Sequence, residues 1–256
     1  MLAGPTSSGK TTTAERLVEK FAALEKTAKV VSLDDFYFDR NAIPIEPDGT
    51  QDLEAITTLD LEYLYRCLKD LLTVGYAQFP VFDFPTAKRK TKTRRISYDS
   101  EHILIIEGIH ALNPLIINGI ASDKFYRVYI SVSSEYWDHD MVILSRYELR
   151  LIRRMVRDVK NRNIPADETL SMWKTVRGGE KMYIAPFEES ADYFVDSILA
   201  YEPGMFKNAA DSVLRTIPKS SKNWEWAQML LEALALFEHI PLSHLPKQSL
   251  LNEFLS

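Results

Sequence analysis

Residues 4–11 read Gly-Pro-Thr-Ser-Ser-Gly-Lys-Thr, and no other stretch constrains this chain as much. The spacing is G-x-x-x-x-G-K-[ST]. Apolar residues at Leu17, Phe21 and Leu24, with Val18 beside them, follow at helical spacing, so the motif opens a helix. Gly4 and Gly9 let backbone N–H groups turn inward as a nest for an anion. The helix N-terminus adds partial positive charge. Lys10 brings a point charge to the outer phosphates, and the Thr11 hydroxyl can ligate Mg²⁺. With Ser7, Ser8 and Thr12, these residues form a candidate nucleotide-phosphate site.

Only Met1, Leu2 and Ala3 precede Gly4, whereas a strand usually runs about 5–6 residues. The expectation is an unusually short first strand, or one whose earlier residues are missing. Farther along, Lys29–Leu33, His102–Ile106 and Phe125–Val132 are short apolar runs, as in strands buried on both faces of a parallel sheet. Leu61, Leu64, Leu68, Leu71 and Leu72 mark a second amphipathic helix, with its cap expected at Thr57 or Thr58. Strand–helix alternation predicts an α/β layered fold with a mostly parallel sheet. Residues 77–98 break the rhythm and read as a β-hairpin flap. From about Pro218 a stripe of Trp224, Trp226, Leu230, Leu231, Leu234 and Phe237 predicts a helical extension packed on the core. The expected division is a domain over 1–215, with a lid near 146–165, and an extension over 216–256.

Composition narrows the function. A net charge of −5 gives no global basic field for nucleic acid. Cys67 is the only cysteine, which excludes an intramolecular disulfide and a multi-thiolate metal site. No segment approaches the roughly 18 apolar residues of a membrane span, and the first residues lack a signal peptide's pattern. A soluble, cytoplasmic protein is expected.

Four further features carry chemistry. Asp34 and Asp35 close an expected strand, where a carboxylate can accept a hydroxyl proton or order Mg²⁺; two acids at a helix cap is the plain alternative. Glu107 ends the run Ile103–Ile106 in the Walker-B manner, with Glu in place of Asp. His110, just after it, reads as a structural, hydrogen-bonded histidine. Arg146, Arg150, Arg153, Arg154 and Arg157 share one helical face, with Leu149, Ile152, Val156 and Val159 opposite. That face reads as a phosphate-facing lid, or else as a solvated face partnered by Glu148 and Asp158. The basic run Lys88–Arg95 reads as a nucleic-acid patch or as a solvated hairpin edge.

Together these residues resemble the uridine kinase and phosphoribulokinase family of P-loop kinases, nearest to its bacterial uridine kinase-like branch. The resemblance runs to about Tyr201. It rests on the phosphate loop, Asp34-Asp35-Phe36-Tyr37, Asp48-Gly49-Thr50-Gln51-Asp52, Phe82-Asp83-Phe84, Glu107-Gly108-Ile109 and Arg153-Arg154-Met155-Val156-Arg157-Asp158. In that branch the kinase domain often follows other domains, which would account for missing strand residues.

The resemblance implies a P-loop NTPase fold and ATP- and Mg²⁺-dependent phosphoryl transfer to a hydroxyl, best guessed as the 5′-hydroxyl of a nucleoside. A sugar phosphate is the alternative acceptor, and a nucleotide-binding regulatory or RNA-associated module the alternative class. It implies Asp34 as the base, Asp52 on the ribose hydroxyls and Thr11 with Glu107 on Mg²⁺. Tyr37, Phe82 and Phe84 would line the acceptor pocket. Lys10, Arg154 and Arg157 would act on the transferring group, with Arg162 near the nucleotide. Nucleic acid and membranes are not expected partners, and homo-oligomer formation stays open. Three positions depart from the family pattern: Phe82 stands where a Tyr is usual, Ala87 where a His is, and Ile164 where a second lid Arg is. None of the three can hydrogen-bond an acceptor through its side chain, so these positions lack the polar groups by which such sites discriminate strongly.

Overall fold

A computed structural model describes residues 1–45, 51–118, 120 and 125–255. Asp48, Gly49 and Thr50 of the acidic motif lie outside the described residues.

In chain order, β1 (Leu2–Ala3) leads into α1 (Lys10–Ala23) and β2 (Ala28–Ser32). α2 (Leu61–Val74) follows, then the short strands β3 (Tyr76–Phe79), β4 (Phe82–Asp83), β5 (Lys88–Arg89) and β6 (Arg94–Ser97). β7 (Ile103–Glu107), α3 (Pro114–Asn118), β8 (Val128–Ser131), β9 (Tyr136–Asp138) and β10 (Met141–Leu144) come next. The chain continues with α4 (Arg146–Asn161), α5 (Ala166–Gly179), β11 (Tyr193–Asp196), α6 (Glu202–Leu214), α7 (Trp224–Ala235) and α8 (Asn252–Leu255).

The central sheet has five strands in the order β11-β8-β1-β7-β2. β1 runs parallel to both β7 and β8, and β2 runs parallel to β7 with Ser32 opposite Glu107. This register matters for function. It sets the polar ends of β2 and β7 side by side, at the carboxyl ends where open α/β sheets bind ligands. β1 has two residues and still sits mid-sheet.

The chain divides into two compact units. The first comprises 1–5, 10–129 and 175–194. Its core gathers Val31, Leu33, Phe36, Leu64, Leu68, Leu71, Phe79, Ile106 and Ile116. α2 is capped by Asp60 and not by Thr57 or Thr58: the Asp60 carboxylate accepts from the Tyr63 N–H, and Gly75 closes the helix at φ 85°. β3 and β6 pair antiparallel, and β4 pairs with β5 inside them, which gives the hairpin expected at 77–98.

The second unit comprises 6–9, 130–174 and 195–256. α4 lies at its centre, packed on α6 and α8, and opens with a capping box between Ser145 and Glu148. Ala227, Leu230 and Leu234 of α7 are buried, so the tryptophan-bearing stripe is core-facing. The boundary expected at 215 falls inside this unit. Among the described residues, no helix is long and apolar enough to cross a membrane.

Candidate active site

The phosphate loop shows its chemistry in its backbone. Ser7 and Gly9 adopt φ 57° and 90°, the positive values that aim successive N–H groups inward. The Ser7 and Ser8 hydroxyls are buried and have no hydrogen-bond partner among the described residues. Buried hydroxyls left unpaired are a standing cost, and phosphate oxygens would satisfy them. The Lys10 ammonium is also buried and donates to the Pro5 carbonyl at 3.0 Å. A Cβ on Gly9 would stand 2.3 Å from Leu250, so the C-terminal segment itself requires glycine there.

At the end of β2, the two neighbouring acids differ. Asp35 is committed: it accepts from the Phe82 N–H at 3.1 Å and pairs with Arg94 at 3.5 Å, which ties it to the flap. Burial pushes its carboxyl above the usual range, against those two contacts, and the nearby Asp34 adds to the rise. The half-buried Asp34 carboxylate makes no hydrogen bond or ion pair with any described residue. Beside them, Ser32 Oγ donates to Glu107 Oε1 at 2.5 Å across the β2–β7 pair. Gly108 follows Glu107 at φ 156°, and a Cβ there would meet the Leu33 Cβ at 2.7 Å. That close approach keeps the end of β7 against the Asp34 turn.

Asp52 is held from both sides. Tyr183 donates to Oδ2 at 2.7 Å, and the Glu54 N–H donates to Oδ1 at 3.1 Å. It lines a cavity of about 290 Å³ with Phe38, Ile43, Pro44, Thr57, Thr58 and Tyr183. Tyr37, Phe82 and Phe84 stack edge-to-face in a row, 5.8 and 5.2 Å between ring centroids, and line no part of that cavity. The expected acceptor residues therefore form two groups. Tyr183 and Phe38 carried no signal in the sequence, because Tyr183 lies 131 positions from its partner.

The arginines of α4 differ most from expectation. The helix falls where the sequence placed it, but Arg150 and Arg153 are among the most buried side chains of the molecule. Arg153 forms an ion pair with Glu202 and donates to the Ser7 and Ser197 carbonyls. Arg150 donates to the Thr6 carbonyl and lies over the Trp173 ring. Arg154 reaches the Thr6 hydroxyl at 3.2 Å. Asp158, fully buried, takes Arg154 at 3.2 Å, Arg157 at 2.7 Å and Arg162 at 3.6 Å. Burial alone would raise its pKa, but Arg157, Arg154 and Arg162 hold it below the usual carboxylate range. The solvated-face alternative is thus corrected. These guanidinium groups are packed under residues 6–7 of the phosphate loop, and Glu148 serves the helix cap rather than an arginine.

The flap's basic run is dispersed. Arg89 bonds Asp60 and the Phe36 and Tyr37 carbonyls, Lys90 pairs with Asp83, Arg94 with Asp35, and Arg95 covers Tyr76. Local partners take up much of this charge, which favours the hairpin-edge reading.

For Mg²⁺, the exposed Thr11 hydroxyl and the Glu107 carboxylate supply oxygen donors, and no cluster of three metal-binding side chains occurs among the described residues. That suits an ion bound through one or two protein oxygens plus phosphate and water.

Compared with known proteins, the model of the phosphoribulokinase / uridine kinase family matches residues 1–201. A uridine kinase of Clostridium botulinum strain Okra is 27% identical over 217 residues, 84% of this chain and 93% of that protein. One from Bacillus subtilis strain 168 is 25% identical over 76% of this chain and 83% of its own length. Among solved structures, a candidate fructose transport system kinase from Silicibacter sp. TM1040 superposes with a TM-score of 0.53 at 21% identity. The superposition covers 76% of this chain and 87% of that one, and it supports the fold.

Proposed function

The chain belongs to the phosphoribulokinase / uridine kinase family and is an ATP-dependent kinase, and from that premise we propose that its acceptor is the 5′-hydroxyl of a nucleoside such as uridine. The observation that carries the proposal is the contrast between Asp34 and Asp35. Asp35 is spent on the flap, while Asp34 keeps an uncommitted carboxylate at the end of β2. A base must be able to turn a lone pair to the hydroxyl it deprotonates, and Asp34 is not held to the flap by a backbone N–H and an arginine as Asp35 is. Asp52, oriented by Tyr183 and Glu54, retains lone pairs for a pair of vicinal hydroxyls. The relatives named as uridine kinases favour a ribonucleoside over other polyols.

In this reading the nest at Ser7–Gly9 binds the nucleotide phosphates, and Lys10 turns from the Pro5 carbonyl to the outer phosphate. Thr11 and Glu107 would hold Mg²⁺, which when bound neutralises charge on the phosphates. Arg154 and Arg157 would stabilise charge on the transferring group, and Arg162 the nucleotide. Asp34 orients the acceptor hydroxyl and takes its proton. Most of the rate then comes from positioning and fixed charge.

One observation favours a second acceptor class. The cavity beside Asp52 is walled by Phe38, Ile43 and Pro44, while Tyr37, Phe82 and Phe84 stand elsewhere. A small sugar or sugar phosphate would fill such a space without a base-stacking row.

The test is ADP release with uridine, cytidine, their 2′-deoxy analogues and a set of sugar phosphates, for wild type and Asp34→Asn. Wild type should turn over a ribonucleoside. Asp34→Asn should lose roughly 10²–10⁴-fold in turnover, while ATP–Mg²⁺ still raises its unfolding temperature. Near-normal turnover of Asp34→Asn would move the base elsewhere.

A further inference from the structure

Past α5 the chain keeps winding in an uncommon way. Glu180–Ile184 form a π-helix, a wide turn that is rare and frequent at functional sites. Three anchors fix this turn. Arg177 and Glu180 form an ion pair, with the Glu180 side chain buried. Ile184 belongs to the buried core. Gly179 lies so close to Glu54 that a Cβ on the glycine would run into the Glu54 Cβ. Between these anchors the half-buried Tyr183 sends its hydroxyl to Asp52 Oδ2 at 2.7 Å. All of these residues belong to the first unit.

The same glutamate that seats Gly179 also holds Asp52, because the Glu54 N–H donates to Asp52 Oδ1 at 3.1 Å. One donor on each oxygen fixes the plane of the carboxylate. Each oxygen keeps a second acceptor site. Asp52 and Tyr183 both line the cavity of about 290 Å³, and Asp52 is the one charged side chain among its described lining residues. Phe38, Ile43 and Pro44 offer a hydroxyl no side-chain acceptor there. Two neighbouring hydroxyls entering this space can each donate to one oxygen of a carboxylate that cannot turn. A site built in this way rejects a ligand that lacks one of them, since an acceptor is then left unpaired. A carboxylate free to rotate would adapt to a single hydroxyl and discriminate less.

We propose that Tyr183 is a positioning residue of the acceptor site, which pins Asp52 so that the site selects an acceptor with two vicinal hydroxyls. This deepens the kinase reading and rests on it in one respect, that Asp52 binds the acceptor.

The experiment measures ADP release with uridine and with 2′-deoxyuridine for wild type, Tyr183→Phe, Asp52→Asn and the double variant. Tyr183→Phe keeps the ring and loses only the hydroxyl. Its kcat/KM for uridine should fall about 10-fold, as for one hydrogen bond to a charged group. The loss should appear as a raised KM for uridine, with the KM for ATP unchanged. The preference for uridine over 2′-deoxyuridine should shrink by a similar factor. In the Asp52→Asn background, Tyr183→Phe should change kcat/KM by no more than about twofold, because it acts through Asp52. A merely structural tyrosine gives a different pattern: uridine, 2′-deoxyuridine and ATP all weakened alike, or the same loss with and without Asp52. Either pattern overturns the proposal, and so does an unchanged preference for uridine. If wild type refuses nucleosides but turns over a sugar phosphate with a vicinal diol, the nucleoside reading fails. The same comparison with that sugar phosphate and its deoxy analogue then decides Tyr183. Turnover only of acceptors without a vicinal diol, or of none, overturns both.

Discussion

Two basic stretches of this chain look alike in sequence and differ in physics. Arg150–Arg157 sits on one long helix, in the core of its unit. Lys88–Arg95 spreads over short strands at an edge. On α4 the charges converge: three guanidinium groups share Asp158, which by itself can offset one of them. On the flap each cation has a partner of its own or none, and the lysines stay exposed. Burial makes the difference. A guanidinium out of water must be paired and hydrogen-bonded, so its contacts are costly to break. An exposed lysine interacts weakly and is screened by salt. A run of basic residues is therefore informative only once its burial is known.

The largest expected effect tests that claim directly. Arg153 and Glu202 are both fully buried and joined by an ion pair. Arg153→Ala leaves the Glu202 carboxylate buried without its cation, which should cost about 3–5 kcal/mol of folding free energy. Urea unfolding of the full chain measures it. A loss under about 1 kcal/mol would erase the distinction between the two stretches.

Next comes the functional half of the comparison. Arg154 reaches the Thr6 hydroxyl of the phosphate loop as well as Asp158. If it also stabilises the transferring group, Arg154→Ala should lower kcat by roughly 10²–10³-fold. Its stability loss should be smaller than that of Arg153→Ala, since Asp158 keeps Arg157 and Arg162. Turnover per folded molecule, normalised by the unfolding curve, separates the two effects. Loss of stability with intact turnover would make Arg154 a purely structural arginine.

Acid should loosen α4. Asp158 has a pKa held below its unfolded value, so the folded state binds its proton less readily than the unfolded state does. Its contribution to stability is present above the ordinary carboxylate range and is lost as pH falls through the lowered value. Wild type should therefore lose stability on acidification below the ordinary carboxylate range. Asp158→Asn should show a flatter profile there and lower stability at neutral pH. Parallel profiles for the two proteins would mean that Asp158 is not the carboxylate that matters.

These cases also show how far the sequence was legible. Local rules held: the G-x-x-x-x-G-K-T loop opens α1, and the apolar runs became β2, β7 and β8. Each depends on neighbours within a turn or a strand. What escaped depends on distant partners. Tyr183 on Asp52, Glu202 on Arg153 and Leu250 on Gly9 join residues far apart in sequence, and nothing in their own neighbourhoods marks them. The arginine face was visible as a pattern, yet periodicity cannot tell a solvated stripe from a buried one when the buried residues are charged.

The smallest expected effect belongs to the flap lysines. Lys88 and Lys92 are exposed, and neither side chain makes a hydrogen bond or ion pair with a described residue. Lys88→Ala with Lys92→Ala should change stability by no more than about 0.5 kcal/mol per site, the range for surface positions away from special contacts. With a neutral acceptor such as uridine, kcat/KM should also stay at the wild-type value, at low and high salt alike. An anionic acceptor would behave differently. A basic edge raises the local concentration of a sugar phosphate, and removing two charges should then lower kcat/KM at low salt, with the difference fading as salt rises. The salt dependence of the double variant thus asks which acceptor the flap faces. A salt-sensitive loss would assign these lysines a role in substrate capture and favour the sugar-phosphate reading over the nucleoside.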